Sequence, residues 1–70
     1  MSDLTTRQAA IVQMASDELT DKEIACRLNV ATNTVRTHWR IIHLRLGTRT
    51  RVGACLRFRE LLTTANAVTH

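Results

Sequence analysis

The chain has 70 residues, of which 44% are hydrophobic and 23% are charged, and its formal net charge is +4. This composition excludes a disordered chain, and no apolar run approaches the roughly 20 residues of a membrane-spanning helix, so we expect one soluble domain over residues 1–70. The first six residues lack the basic and apolar segments of a signal peptide, which predicts a cytoplasmic protein.

The charges are unevenly distributed along the chain. Residues 1–23 contain five acidic and two basic side chains, whereas the remainder contains eight arginines and one acid, Glu60. A polyanion such as nucleic acid is the partner that this distribution favours.

Two capping boxes mark the starts of the first two helices. Thr5 with Gln8, and Thr20 with Glu23, place a hydroxyl and a longer polar side chain three residues apart, where they can satisfy the first free amides of a helix. The predicted helices cover residues 6–16 and 21–28.

The third predicted helix is the longest, because its pattern runs over residues 32–46 and stops at Gly47. At about 100° per residue, five side chains share an inward stripe. That stripe consists of Val35, His38, Trp39, Ile42 and Leu46. Arg36, Thr37 and Arg40 turn away from it together. We expect Trp39 to pack on the first helix and His38 to be a hydrogen-bonded core residue.

A fourth helix is predicted near residues 50–62, followed by a frayed tail at residues 63–70. Its apolar residues cover more than one face. We expect one face to complete the core and the remainder, formed by Ala54, Phe58 and Leu61, to contact a second copy or another protein.

Cysteine and histidine give no sign of a metal site or of catalysis. Cys26 and Cys55 lack the neighbouring ligands that zinc requires and are expected to be buried thiols. The histidines form no metal pair and no nucleophile constellation. We therefore expect no cofactor and no enzymatic activity.

Four short segments follow one another in a fixed order. They are Leu4-Thr5-x-Arg7-Gln8, Leu19-Thr20-Asp21-Lys22-Glu23-Ile24-Ala25-x-Arg27-Leu28, Thr34-Val35-Arg36-Thr37-His38, and Leu46-Gly47 with Arg51. Over about residues 4–60 this set resembles the LuxR-type, or GerE-like, helix-turn-helix domain of bacterial transcription regulators. The resemblance implies an all-α, four-helix domain whose second and third helices form the helix-turn-helix, with the third in the major groove of DNA.

The resemblance also implies which residues touch DNA. Base contacts would come from Arg36, Thr37 and Arg40, the side chains that helical geometry turns outward, and an arginine can donate two parallel hydrogen bonds to guanine. Lys22 matches a family contact to the DNA backbone. Further backbone contacts are expected from Thr5, Thr20, Thr34, Arg49 and Arg51. For the three threonines, a local capping or backbone bond is an equally good interpretation.

The chain departs from the family pattern at several positions. Ala31 replaces the usual serine cap of the third helix, which costs about 1 kcal/mol unless Thr32 takes over. Glu18 replaces a glycine, which puts a left-handed residue at that turn in doubt, and Gly53 replaces the acid of the last capping box. Ile41 and Leu44 stand where relatives mostly carry polar residues, and they are expected to form an exposed partner surface.

We therefore predict a transcription regulator that binds an inverted-repeat operator on double-stranded DNA as a homodimer, with half-sites about 10 bp apart, and that joins the nucleoid when bound. The alternative is a protein-interaction module that pairs with another transcription regulator and inhibits it, through Ile41, Leu44 and the fourth helix. Sigma-factor region 4 is a third option, against which the Leu4–Gln8 and Leu46-Gly47 segments argue.

Overall fold

The computed structural model describes the backbone of residues 4–69 and the side chains of residues 4–63. Four helices and no strand occur in this range, which confirms the all-α prediction. The helices are α1 (Thr6–Ser16), α2 (Asp21–Leu28), α3 (Thr32–Leu46) and α4 (Arg51–Thr69). The first three have the predicted bounds.

Both predicted capping boxes are present. The Thr5 hydroxyl accepts from the Gln8 amide at 3.1 Å, and the Gln8 side chain accepts from the Thr5 amide at 3.1 Å. Thr20 and Glu23 form the same pair of bonds at 3.2 and 3.0 Å. The amides at the starts of α1 and α2 are thus satisfied locally, which fixes where each helix begins.

A left-handed residue lies just after the last residues of each of the first three helices. Glu18, Asn29 and Gly47 have φ angles of 68°, 57° and 67°. In each case the next residue donates its amide back to a carbonyl five residues earlier, as in Leu19 N to Met14 O at 3.2 Å, which is the Schellman arrangement. The doubt about a left-handed residue at Glu18 was therefore wrong. The turn has this conformation although the Cβ of Glu18 comes close to the following carbonyl oxygen, which destabilises it.

The core lies where the four helices meet. It consists of Ile11, Val12, Ile24, Ala25, Val35, Trp39, Ile42, Leu46, Ala54 and Phe58. Four of the five residues predicted for the inward stripe of α3 are buried in it. His38 is half-buried instead, and its Nδ1 is buried without a hydrogen-bond partner among the described residues, which corrects the expectation of a hydrogen-bonded histidine.

The fourth helix differs most from the prediction. Ala54 is fully buried and Phe58 is 9% exposed, so neither can form the expected partner surface, while Leu61 is half-buried against the core. The exposed apolar residues of α4 are instead Val52, Leu56 and Leu62. The helix also continues to Thr69 rather than ending near residue 62. Fraying of residues 63–70 in solution stays a prediction.

The cysteines occupy different environments. Cys26 is exposed on α2, and its neighbour Ala25 fills the core instead, so the prediction of a buried thiol was wrong there. Cys55 is half-buried, with its Sγ 3.9 Å from the Val12 carbonyl oxygen, and it joins α4 to α1.

Candidate nucleic-acid interface

The outer face of α3 carries the three side chains predicted to contact bases. Arg36, Thr37 and Arg40 are all exposed. No acidic residue occurs on α3, and neither arginine forms an ion pair with any side chain described for residues 4–63. Two guanidinium groups one helical turn apart are therefore available to an external anion.

Thr37 differs from the two arginines because its hydroxyl is engaged. Its Oγ1 donates a 3.0 Å hydrogen bond to the Asn33 carbonyl oxygen one turn earlier. This bond uses the hydroxyl proton inside the helix and leaves the methyl group and the oxygen lone pairs at the surface. Thr37 can thus accept a hydrogen bond from DNA or contact an apolar group while it keeps the bond to the Asn33 carbonyl oxygen.

The start of α2 combines a free lysine with two engaged acids. Lys22 is exposed, whereas Glu23 is held in the capping box. The Thr20 backbone amide, which donates to the Glu23 carboxylate, and the Thr20 hydroxyl lower the pKa of Glu23 below its ordinary value of 4.5. Glu23 is therefore anionic at neutral pH, and its charge complements the positive end of the helix dipole.

The second acid of this turn, Asp21, takes part in a contact cluster that the sequence did not predict. The indole Nε1 of Trp39 donates to Asp21 Oδ1 at 3.1 Å, and Arg51 donates to Asp21 Oδ2. The Arg51 guanidinium carbon also lies 4.9 Å from the centre of the Trp39 ring, within the range of a cation–π contact. We name Asp21, Trp39 and Arg51 the Trp39 cluster.

The Trp39 cluster joins the start of α2 to the middle of α3 and the start of α4. Trp39 is 4% exposed, as expected of a core residue, but these polar contacts are with α2 and α4 rather than with α1. His43 extends the arrangement, because its ring stacks on Trp39 at 5.6 Å and its Nδ1 lies 3.0 Å from Thr48 Oγ1. The cluster fixes α3 relative to α2 and neutralises a carboxylate beside Lys22.

The remaining predicted backbone contacts fall into two groups. Thr34 and Arg49 are exposed near the two ends of α3, while the hydroxyls of Thr5 and Thr20 already cap their helices. Arg51 is engaged with Asp21, although 45% of its side-chain surface stays exposed. Phosphate contacts by these five residues stay predictions.

The N-terminus of α3 lacks a side-chain cap. The cap residue is Ala31, with φ −73° and ψ 150°, and no side chain accepts a hydrogen bond from the first amides of the helix. Thr32 does not take over the role, because it is the first residue of α3 itself. The Thr34 amide turns to the Ala31 carbonyl oxygen instead, at 3.0 Å.

Two apolar regions lie at the surface. On α3, Leu44 is 78% exposed but Ile41 is half-buried. Only Leu44 of this expected surface pair is therefore fully at the surface. Between α1 and α4 there is an open groove of about 250 Å³. Its lining consists of Ala15, Ser16, Leu19, Arg51, Val52, Cys55, Leu56 and Arg59.

The described part of the chain offers neither a metal-binding cluster nor a membrane-spanning helix. No group of three or more His, Cys, Asp or Glu side chains there is placed to hold a metal ion. Nor does any helix in that part have the length and hydropathy needed to cross a membrane.

Comparison with known proteins agrees with this architecture. Residues 2–58 match the GerE family, described as bacterial regulatory proteins of the luxR family. No match was found among curated proteins or among solved structures. Since the family match covers more than half of the sequence, the chain belongs to the LuxR family of bacterial regulatory proteins and carries its GerE-type helix-turn-helix domain.

Proposed function

We propose that this protein is a sequence-specific transcription regulator that binds double-stranded DNA as a homodimer, with α3 in the major groove. The carrying observation is the outer face of α3, where Arg36 and Arg40 are exposed and lack ion-pair partners among the described residues. Membership of a family of DNA-binding regulators supports the same function.

The dimensions of α3 suit this role. A helix with its side chains is about 10–12 Å across, and the major groove is about 12 Å wide. Arg36 and Arg40 lie four residues apart, which is about 6 Å along the axis. Since base pairs are spaced by about 3.4 Å, the two arginines would reach guanines about two base pairs apart in each half-site.

Contacts to phosphate would set the register of α3 on DNA. Lys22 is exposed at the start of α2, where the positive end of the helix dipole favours an anion. Asp21 would repel a phosphate at this place, but Arg51 compensates its charge. Thr34 and Arg49 provide further exposed donors near the ends of α3.

The proposed dimer forms through α4. Val52 and Leu56 are exposed one turn apart on one face, and Leu62 is exposed further along the helix, about 120° around its axis from Leu56. Burying these side chains against a second copy would stabilise a domain whose own core is small. A two-fold dimer requires an inverted-repeat operator with half-sites about 10 bp apart, and we place the protein in the cytoplasm, on the nucleoid.

The proposal is tested by selecting bound sequences from a random DNA pool and measuring affinity for the recovered site. We expect an inverted repeat and a slope of log affinity against log salt of about −5, for about six phosphate contacts. Arg36→Ala and Arg40→Ala should each weaken binding to the selected site by about 1–3 kcal/mol and binding to random DNA by less.

A matched control is Arg57→Ala, which removes the same charge from α4, where Arg57 pairs with Glu60 at 3.4 Å. This variant should bind the selected site with nearly the affinity of the parent protein. Equal losses in all three variants, or recovery of no motif, would contradict sequence-specific binding by α3.

The alternative of an inhibitory partner module has less support. Two residues of its expected surface, Ala54 and Phe58, lie in the core, and the family match favours DNA. Tight binding to another regulator without a selected DNA motif would be the result in its favour.

A further inference from the structure

Leu44 is the most exposed of the large apolar side chains described, at 78%. Exposed leucines are common, but this one lies on the helix proposed to enter DNA. We propose that Leu44 reads sequence by packing on the C5-methyl group of a thymine in the major groove. The inference rests on the proposed function and adds an apolar contact to it.

The position of Leu44 on α3 places it in line with the polar contacts. At about 100° per residue, Leu44 lies about 40° from Arg40 and about 20° from Thr37 around the helix axis. Along the axis it lies about 6 Å beyond Arg40. Leu44 therefore continues the outward face formed by Arg36, Thr37 and Arg40 rather than forming a separate surface.

The surrounding charge favours DNA over a protein as the occupant. A protein surface covering Leu44 would also have to desolvate Arg40 one turn away, and α3 carries no acid to compensate it. The major groove satisfies both side chains, because it presents guanine acceptors for an arginine and the thymine methyl for an apolar residue. A single leucine is also far smaller than the apolar patches that mark protein interfaces.

The test removes the methyl group rather than the base. Each thymine of the selected operator is replaced in turn by deoxyuridine, which keeps every hydrogen-bonding group of thymine. At one position in the half-site we expect the parent protein to lose affinity about fourfold, the equivalent of about 0.8 kcal/mol for one buried methyl group. Leu44→Ala should lose a similar factor on the thymine operator and nothing more on the deoxyuridine operator.

Leu56→Ala provides the matched control, because Leu56 is an exposed leucine on α4. Even if it weakens the dimer, this variant should keep the fourfold sensitivity to the methyl group. Circular dichroism of each variant verifies that the helices are retained.

Four results would overturn the inference, and the last of them would overturn the proposed function too. If no thymine replacement distinguishes the parent from Leu44→Ala while Arg36→Ala still weakens binding to the selected site more than binding to random DNA, the methyl contact is wrong and the proposed function stands. A selected site without thymine has the same meaning, as does a Leu44→Ala variant that keeps DNA affinity but loses binding to a regulatory protein. If the parent selects no site at all, the proposed function fails as well.

Discussion

Ala31→Ser should stabilise the domain, because α3 is the one among the first three helices that begins without a side-chain cap. The backbone at Ala31 (φ −73°, ψ 150°) nearly matches that of the two threonine caps, Thr5 (−72°, 165°) and Thr20 (−77°, 165°). A serine hydroxyl at position 31 should therefore reach the amide of Thr34 much as the threonine hydroxyls reach theirs, at 3.1 and 3.2 Å.

We expect the gain in the free energy of unfolding to lie in the lower half of the range usual for an N-cap substitution. Replacing an alanine cap by serine stabilises helices by about 0.5–2 kcal/mol. The Thr34 amide already has a backbone partner in the Ala31 carbonyl oxygen, so the new bond replaces a contact rather than satisfying an empty donor. We expect about 0.5–1 kcal/mol, which corresponds to a rise in Tm of about 2–8 °C for a domain of this size.

Urea unfolding followed by circular dichroism measures this change. Thr20→Ala is the reciprocal variant and should destabilise by about 1 kcal/mol, because it removes an existing cap. If Thr20→Ala has that effect while Ala31→Ser changes nothing, the inference that α3 is limited by its missing cap is refuted.

Three other predictions follow from local geometry. Glu18→Gly should raise the unfolding free energy by about 1 kcal/mol, since glycine tolerates the left-handed turn, while Glu18→Ala should give no such gain; equal effects in urea unfolding would contradict this account. Because folding lowers the pKa of Glu23, its carboxylate stabilises the fold above pH 4.5 and loses this contribution as the pH falls through the lower, folded-state pKa. Thermal unfolding across this range should show a smaller acid-induced loss for Glu23→Gln, which can still close the capping box; identical pH profiles would count against it. Asp21→Asn should lower stability by about 0.5–1 kcal/mol because the ion pair is partly exposed, and Asp21→Ala should cost more because the Trp39 indole also loses its acceptor. Denaturant titration should reveal that order, and the reverse order would exclude the indole bond as a stabilising contact.

Local signals explain why the first three helices could be predicted from the sequence. The capping boxes at Thr5 and Thr20 are complete within four residues each, and Gly47 ends α3 by its own backbone freedom. Helical periodicity also separated the buried Val35 from the exposed Arg40. Capping signals and helical periodicity both depend on residues close together in the sequence, so they can be used without knowledge of the tertiary structure.

The fourth helix could not be oriented in this way because it is apolar on several faces. Ala54 and Phe58 share one stripe, and Val52 and Leu56 share another, each at a spacing of four residues. Periodicity allows either stripe to face the core, and the helices already in place decide between them. The first stripe is buried and the second is exposed, which is the reverse of the expected partner surface.

The Trp39 cluster could not be predicted from the sequence for a different reason. Asp21 and Trp39 are 18 residues apart, and Asp21 and Arg51 are 30 apart, so no local pattern records their contact. The sequence suggested a DNA-backbone role for Arg51 and packing on α1 for Trp39. What it lacked was the crossing of α2, α3 and α4, which brings three distant side chains together.

The burial of Trp39 also gives the protein an intrinsic fluorescence signal. The sequence has one tryptophan and no tyrosine, so ultraviolet emission excited at the red edge of aromatic absorption comes from a single chromophore. That chromophore sits at the junction of three helices, beneath a cationic side chain and next to a carboxylate. Its emission wavelength and intensity should therefore respond when the junction opens, and the natural chain can be followed through folding and operator docking without an attached dye.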